Sequence, residues 1–328
     1  KEVSTGYDKS WLRDNFYECL AFAVIGDWDT VEKTYDSILN IFLKHEEKID
    51  WAIQAKPQGR HEYIHARFHP ETFEEFWEEW GNKQNDSIGA ILYMIGQLEI
   101  HHKRSVVEND DHKRIVQKLV LYLQSIEYWH DLDNGVWEEN EEVHASSVGA
   151  CVAGLRAIDK LDFIDVPEDL IMKGEIALKE LLPRESEGKF VDLAQLSLIY
   201  PYEVVDDEIR DKILQNLEYH LLRERGVIRY KNDYYYNKNA DGFSEEAEWV
   251  FGLAWLVIIY KRMGDEEKAK ELMDKLIDLD TEKGLPELYF SNSDEYNENT
   301  PLGWTESLFI VALFEMNNKF IVKPDDQG

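Results

Sequence analysis

The stretch IGAILYMIGQLEI, which runs from Ile88 to Ile100, is apolar on almost every side of a helix. It is too short to cross a bilayer, so it predicts a buried helix. Four more stretches of this kind and a shorter sixth occur along the chain, at 16–25, 148–158, 250–260, 308–314 and 193–199. Because a buried helix needs apolar partners on all sides, these stretches predict helices packed against one another.

A second kind of stretch alternates with the first. It carries apolar residues at helical spacing and a charged opposite face, as a surface helix does. The members lie at 31–42, 115–126, 170–182, 209–221 and 266–279. Strict alternation predicts an inner ring of six helices wrapped by an outer ring, each outer and inner pair forming an αα-hairpin. Only five outer helices are found, so we expect one more to precede residue 1.

The composition favours a single globular domain over residues 1–328. The hydrophobic fraction is 44%, and no linker rich in Gly, Ser or Pro divides the chain. Cys19 and Cys151 both fall within predicted inner helices, so we interpret them as small core residues and not as a disulfide framework. No signal peptide is visible, which favours a cytoplasmic location.

The charge balance narrows the choice of partner. The formal net charge is −31, which disfavours nucleic acid and anionic membrane surfaces. A neutral ligand fits this surface better, and nothing in the sequence indicates an oligomeric state or a cofactor.

Five segments rich in aromatic and charged residues lead into buried helices. If these helices begin at the same end of the bundle, the segments line one cleft. Trp and Tyr beside Arg, Asp and Gln suit a sugar, whose C–H faces pack on aromatic rings and whose hydroxyls need paired donors and acceptors. The candidate residues are Tyr7, Trp11, Arg13 and Asp14; Trp80, Gln84 and Asp86; Trp137, Glu138 and Glu139; Arg229, Tyr230, Glu248 and Trp249; and Glu287.

Simpler interpretations exist for several of these residues taken singly. Arg13 and Asp14 also fit a helix cap with an ion pair, and Asp86 is a plausible N-cap for the next helix. Glu138 or Glu287 alone also fits a solvated loop charge. As a pair they match the two carboxyl groups that glycosidic cleavage needs. Trp137 and Glu139 favour a protonated Glu138, which makes it the candidate acid and Glu287 the candidate base.

The five segments resemble, in the same order, the motifs of glycoside hydrolase family 15. This glucoamylase-type family includes glucoamylases, glucodextranases and some trehalases, and is distantly related to the phosphorylase kinase regulatory subunits. The matching segments are WLRD at 11–14, WGNKQND at 80–86, GVWE at 135–138, RYKNDYY at 229–235, and LPE at 285–287 followed by PLGW at 301–304.

The resemblance implies an all-α fold, an (α/α)6 barrel, and a division of roles. Arg13 and Asp14 would hold the terminal glucose, with Tyr7 beside it. Trp80 and Gln84 would line the pocket, and Arg229 would bind substrate. The general acid would be Glu138, and the general base would fall in the segment of Glu287. Leu288 departs from the Gln or Glu that commonly follows the base, so the base assignment is the weaker one.

One competing motif is present. The residues from His61 to His65 fit the H-E-x-x-H pattern of zinc proteases, in which two His one helical turn apart bind the metal. Pro57 and Pro70 flank the segment and favour an extended loop. We therefore expect no metal site here.

The sequence thus predicts an inverting exo-acting glycosidase that releases glucose from the non-reducing end of an α-glucan or short α-glucoside. An inverting reaction implies carboxyl groups about 6.5 to 9.5 Å apart, whereas retention implies about 5 Å. The alternatives are a trehalase, an isomaltose- or dextran-type glucohydrolase, more remotely a phosphorylase or lyase, or a binding module like the phosphorylase kinase relatives.

Overall fold

The computed structural model describes residues 7–76, 81–237 and 245–317. Within these ranges the secondary structure is almost entirely helical, with two short two-stranded ribbons. The helices are α1 (Leu12–Ile25), α2 (Trp28–Lys44), α3 (Glu46–Ala55), α4 (Asn85–Gln97), α5 (Asp110–Ile126), α6 (Ala145–Ile158), α7 (Glu168–Leu181), α8 (Leu196–Ile199), α9 (Asp207–His220), α10 (Phe251–Met263), α11 (Glu266–Asp278) and α12 (Gly303–Met316). The strands are β1 (Ser10–Trp11), β2 (Arg67–Phe68), β3 (Glu248–Trp249) and β4 (Leu288–Tyr289).

The predicted alternation of buried and amphipathic helices is confirmed. Every residue of α4 from Asn85 to Gly96 is buried, and α10 is buried from Phe251 to Lys261. The weaker sixth stretch folds as a 3₁₀ turn that runs into the short helix α8. The amphipathic helices α2, α5, α7, α9 and α11 each follow one buried helix.

Helix α3 was not predicted. Only two of its side chains, Ile49 and Ala52, are buried. Its apolar stripe is therefore too narrow to be recognised in the sequence as the pattern of an amphipathic helix. It packs mainly against α5. The outer helix expected before residue 1 stays a prediction.

The chain divides into two compact units. The first comprises Lys1–Phe16, Trp28–Gly188 and Tyr202–Val204, and the second comprises Tyr17–Asp27, Lys189–Pro201 and Val205–Gly328. The single domain over residues 1–328 stays a prediction. Cys19 and Cys151 are both buried and neither forms a disulfide, as expected of core cysteines. Within the described ranges, no helix combines the length and the apolar character that crossing a bilayer requires.

Close contact between α4 and α6 forms the centre of the first unit. A Cβ on Gly89 would overlap the backbone of Ala150, and one on Gly154 would overlap the carbonyl oxygen of Gly89. A Cβ on Gly96 would lie 2.6 Å from the Cβ of Ala157. These glycines let the two helix backbones approach closely, and the contact leaves no room for a side chain at these positions.

Stacked aromatic rings and a buried ion pair lie in the core of the second unit. Trp304 stacks on Phe251 at 4.7 Å and on Tyr17 at 4.6 Å between ring centroids. Glu315 is fully buried, and Arg262 donates to its Oε1 from Nε at 3.0 Å and from Nη2 at 2.6 Å. The guanidinium thereby compensates a carboxylate that would be costly to bury alone.

The polar segments are tied to one another where buried helices begin. Strands β1 and β2 pair antiparallel, as do β3 and β4. Before α4, the carboxylate of Asp133 accepts a hydrogen bond from the backbone N–H of Asn85 at 3.0 Å. Asp131 accepts one from the Asn85 side chain at 3.0 Å. The start of α4 is therefore fixed by the segment that leads toward α6.

We predict that Gly89→Ala destabilises the protein in spite of the better helix propensity of alanine. The propensity gain is about 1 kcal/mol, whereas overpacking costs about 1 to 3 kcal/mol and falls here on rigid backbone. Urea denaturation should give a lower free energy of unfolding and a lower midpoint. Equal or greater stability of the variant would contradict the close contact between α4 and α6.

A second prediction concerns Asp133, which is 1% exposed. Burial, with the nearby Asp86 charge, raises the pKa of Asp133 from 3.8 to about 7, although His144 and two hydrogen bonds oppose the shift. A raised carboxyl pKa gives stability that is complete below the unfolded pKa and is lost as pH rises through the folded pKa. In Asp133→Asn, unfolding free energy should therefore fall less than in wild type between pH 4 and pH 7.

The difference is at most about 4 kcal/mol over that range. Urea denaturation at several pH values measures it, with Asp110→Asn as the control because the Asp110 side chain is 99% exposed. Parallel pH profiles for wild type and Asp133→Asn would show that Asp133 is ionised throughout.

Candidate functional site

Arg13 joins three of the polar segments in the first unit. It lies in the first turn of α1 and is 4% exposed. Its Nη1 donates to Gln84 Oε1 at 2.8 Å and to Asp86 Oδ2 at 3.1 Å, and its Nη2 donates to Glu138 Oε1 at 2.6 Å. Four of the predicted site residues are therefore in direct contact. We call Arg13, Gln84, Asp86 and Glu138 the Arg13 cluster.

The electrostatics of this cluster favour a permanent cation. Burial works against the charged guanidinium, yet the Asp86, Glu138 and Asp14 carboxylates raise the pKa of Arg13. Asp14 thus contributes as a nearby charge at the start of α1. Asp86 Oδ1 is buried and has no hydrogen-bond partner in the described part of the chain. An acceptor beside a cation is what a sugar hydroxyl needs.

The N-cap role predicted for Asp86 is wrong. The N-cap of α4 is Gln84, whose side chain makes no capping bond, and Asp86 lies inside the first turn. Its carboxylate is directed to Arg13 instead, because a buried guanidinium requires an anionic partner. An acidic residue in the first turn remains favourable for the helix dipole.

Glu138 lies in a tight turn with an unusual backbone. Its φ is +57°, in the left-handed region that costs a non-glycine residue about 1 kcal/mol or more. The turn is closed by a bond from Glu139 N–H to Asn134 O at 3.0 Å and by one from the Asn134 side chain to Glu139 O at 2.6 Å. Strained backbone of this kind is common where a side chain must be aimed at a ligand.

Gly81 allows this turn to sit close to the segment before α4. A Cβ at this position would lie 2.6 Å from the carbonyl oxygen of Glu138. Trp137, just before the candidate acid, is buried. Trp80 lies outside the described residues, so its predicted contact with the sugar stays a prediction.

The first segment carries the remaining predicted residues of this unit. Trp11 is buried, and the Arg67 guanidinium lies 5.2 Å from its ring centroid. Tyr7 is 40% exposed, and its ring centroid is 6.4 Å from that of Trp11. Arg67 was not among the predicted site residues, although the segment that contains it, 63–68, resembles a segment of the family.

Arg229 is the buried cation of the second unit. Its Nε and Nη2 each donate to a different oxygen of Asp233 at 2.7 Å, a bidentate pair. The guanidinium also lies over the rings of Trp249 at 4.9 Å, Tyr235 at 5.0 Å and Tyr230 at 5.8 Å. The predicted residues Arg229, Tyr230 and Trp249 are thus brought together.

Glu248 has a backbone contact that the sequence did not indicate. It is buried, and its Oε2 accepts from the backbone N–H of Arg225 at 2.7 Å. Burial raises the pKa of Glu248. This contact ties β3 to the preceding loop, which gives Glu248 a structural role beside its predicted one.

Glu287, the candidate base, is 1% exposed and directly precedes β4. The side-chain amides of Asn297 and Asn299 donate to the same oxygen, Oε2, at 2.5 and 2.6 Å. Its own backbone is fixed on both sides, since Glu287 N–H donates to Asn299 O and Glu287 O accepts from Val250 N–H. The two asparagines were not among the predicted residues, although their Asn-x-Asn spacing is visible in the sequence.

The H-E-x-x-H segment does not form a helix. Arg60–Glu62 is a single 3₁₀ turn, and Tyr63 that follows has extended backbone angles. His61 is exposed whereas His65 is buried, so the two imidazoles do not share one helical face. Over residues 7–76, 81–237 and 245–317, no group of three or more His, Cys, Asp or Glu side chains is arranged to hold a metal.

Comparison with solved structures identifies the fold. A wild-type glycosidase matches with a TM-score of 0.78 at 18% identity, covering 96% of this chain and 89% of that one. A bacterial glucoamylase complexed with acarbose matches at 0.75 and 15%, covering 98% and 51%. Glucoamylase from Saccharomycopsis fibuligera matches at 0.70 and 14%, covering 96% and 87%. These matches confirm the predicted all-α fold of the glucoamylase type.

The chain is also similar to regulatory subunits of phosphorylase b kinase. The probable phosphorylase b kinase regulatory subunit alpha of Caenorhabditis elegans is 26% identical over 92% of this chain and 30% of its own length. The skeletal muscle isoform of Oryctolagus cuniculus is 25% identical over 94% and 31%. The chain therefore spans about a third of the length of these relatives.

The family model for glycosyl hydrolases family 15 matches residues 2–320, which is nearly the whole chain. This chain belongs to glycosyl hydrolase family 15.

Proposed function

We propose that this chain is an inverting, exo-acting glycoside hydrolase that releases glucose from the non-reducing end of α-glucans or short α-glucosides. The observation that carries the proposal is the Arg13 cluster, in which a buried guanidinium contacts Glu138, Asp86 and Gln84. Membership of family 15 and retention of both candidate glutamates support it.

Recognition of the sugar would rest on paired donors and acceptors. The Arg13 guanidinium donates, and Asp86 Oδ1, which has no partner among the described residues, accepts, so neighbouring hydroxyls find complementary groups. The Tyr7 and Trp11 rings offer faces for sugar C–H groups. In the second unit, Arg229 on Trp249 and Tyr235 would supply a further polar edge.

The reaction would need one protonated and one ionised carboxyl group. Glu138 donates its proton to the glycosidic oxygen as the bond from that oxygen to the anomeric carbon breaks. Glu287 takes a proton from water, whose oxygen bonds to the anomeric carbon from the opposite face. The products are β-glucose and the shortened chain, and the carboxyl groups return to their starting states by exchanging a proton with solvent.

The contact between Arg13 and Glu138 bears on the acid step. A cation 2.6 Å from a carboxyl oxygen stabilises the ionised form, whereas the acid must be protonated. The effect of Arg13 on the ionisation of Glu138 therefore opposes the effects expected from Trp137 and Glu139, which favour the protonated form. A bound sugar whose hydroxyls take up Arg13 donors would weaken the ion pair and so favour protonation of Glu138.

A second candidate is a carbohydrate-binding regulatory module without turnover. The similarity to regulatory subunits of phosphorylase b kinase favours it. Retention of Glu138 and Glu287 favours hydrolysis instead. Trehalase and isomaltose- or dextran-type activities on the same fold differ from our proposal only in linkage. A cytoplasmic location stays a prediction.

We predict that the purified protein releases glucose from at least one member of a panel of maltose, maltotriose, isomaltose and trehalose. Proton NMR during the first minutes should show the β-anomer, because inversion converts an α-linkage into β-glucose. Initial release of α-glucose would contradict the inverting mechanism. Saturable binding of these sugars without any glucose release would favour the regulatory module.

We also predict that Glu138→Gln lowers kcat by about 10² to 10⁴-fold, the usual contribution of a general acid, and leaves sugar affinity within a few-fold. The amide oxygen of Gln can still accept from Arg13, so the cluster keeps its shape while the transferable proton is lost. Steady-state kinetics and calorimetric titration with maltose measure the two effects. Glu187→Gln, on an exposed loop position, is the control. Unchanged turnover in Glu138→Gln would remove Glu138 as the acid.

A further inference from the structure

Glu287 is a buried carboxyl group of the second unit that accepts hydrogen bonds from two side-chain amides. We propose that Asn297 and Asn299 are positioning residues that hold Glu287 ionised and correctly oriented for its role as the general base. This inference rests on the proposed function, because it assigns two further residues to the reaction.

The backbone brings both asparagines beside Glu287. The chain from Glu287 to Asn299 turns back on itself, with Phe290 N–H bonded to Glu295 O at 3.0 Å and a β-bridge between Tyr289 and Tyr296. Glu287 N–H donates to Asn299 O at 3.1 Å. The returning arm thus runs alongside the residue that carries the carboxyl group.

The side chains of this arm divide between two directions. Asn297 and Asn299 both point to Glu287 Oε2, whereas Glu298 between them accepts from the Tyr236 hydroxyl at 2.7 Å. The Asn-x-Asn spacing therefore delivers two amide donors to one oxygen.

The two amides act on charge as well as on orientation. An ionised carboxylate only accepts hydrogen bonds, and donors that point at it stabilise the ionised form. A general base must be ionised when water is activated. Both asparagines are buried, at 3% and 8% exposure, so water contributes little to solvating this oxygen. The amides replace that solvation.

Other acidic residues occur on the segments around Glu287. Glu298 lies on the same arm, Glu248 on the paired strand β3, and Glu306 of α12 accepts from the backbone N–H of Leu285. Tyr236 lies close enough for the Glu287 charge to contribute, after burial and the bond to Glu298, to raising the pKa of its phenol. A negative charge close to a carboxyl group favours its protonated form, whereas amide donors favour the ionised form.

The test compares wild type with Asn297→Ala, Asn299→Ala and the double variant. A hydrogen bond to a charged group is worth about 1.5 to 3 kcal/mol, which corresponds to about a ten- to hundredfold fall in kcat for each variant. KM should change less than about threefold, since neither amide is assigned to the sugar. The acidic limb of the pH profile of kcat/KM should move to higher pH, because Glu287 then loses its proton less readily.

Asn292→Gly is the matched control. Asn292 lies in the turn of the same hairpin and donates to a carboxylate, Glu245 Oε2, at 2.7 Å. Its φ of +52° suits glycine, so the variant removes an amide without straining the backbone. We expect its acidic limb to stay in place. An equal shift in this control, or an unshifted limb in the Asn297 and Asn299 variants, would overturn the proposal.

A second measurement separates this inference from the proposed function. Titration of ¹³C-carboxyl-labelled glutamate by NMR, with Glu287→Gln to assign the signal, gives the Glu287 midpoint without any substrate. A higher midpoint in the alanine variants supports the stabilising role, and an unchanged midpoint refutes it. Absence of glucose release by the wild type would refute the proposed function alone. If the alanine variants fail to fold, Asn297→Ser and Asn299→Ser replace them in both measurements, with the same expected shifts, because the shorter side chain removes the amide donor while keeping a polar group.

Discussion

The contact between the Arg13 guanidinium and three acceptors is the constraint on which the candidate site depends. Burying a cation without partners would cost several kcal/mol of folding free energy, so its acceptors must be buried beside it. Those acceptors, Gln84, Asp86 and Glu138, belong to different segments. The position of each segment is therefore linked to the others, and the close contact of α4 with α6 supplies the rigid support beneath them.

The second unit holds its own candidate residues by separate means. Asp233 fixes Arg229 with two parallel bonds, and aromatic rings cover the guanidinium. Glu287 Oε2 accepts hydrogen bonds from two side-chain amides. Both sets of contacts fix the direction of a buried polar side chain, and each lies within the second unit.

Much of the fold could be predicted because its dominant signal is simple. Helices such as α4 and α10 are apolar all round, and this pattern can be recognised in the sequence without knowing which helices pack beside them. Helix α3 escaped prediction because only Ile49 and Ala52 are buried. Which residues would lie near Arg13 was expected from the order of the segments. The contact of Asp86 with Arg13 was not expected. A helix cap can be predicted from neighbouring residues, whereas Arg13 lies far from Asp86 in the sequence. The proposed role of Asn297 and Asn299 was not predicted for the same reason. The sequence does not show which acceptor an amide side chain contacts.

Gly81 has a consequence for how such proteins can diverge or be recombined. The carbonyl group of Glu138 occupies space that any larger residue at position 81 would fill. The turn that presents the candidate acid therefore packs closely against a segment that lies 57 residues earlier in the chain. A graft of the turn alone into a homologous scaffold would meet a surface of a different shape. The two segments would therefore have to be exchanged together.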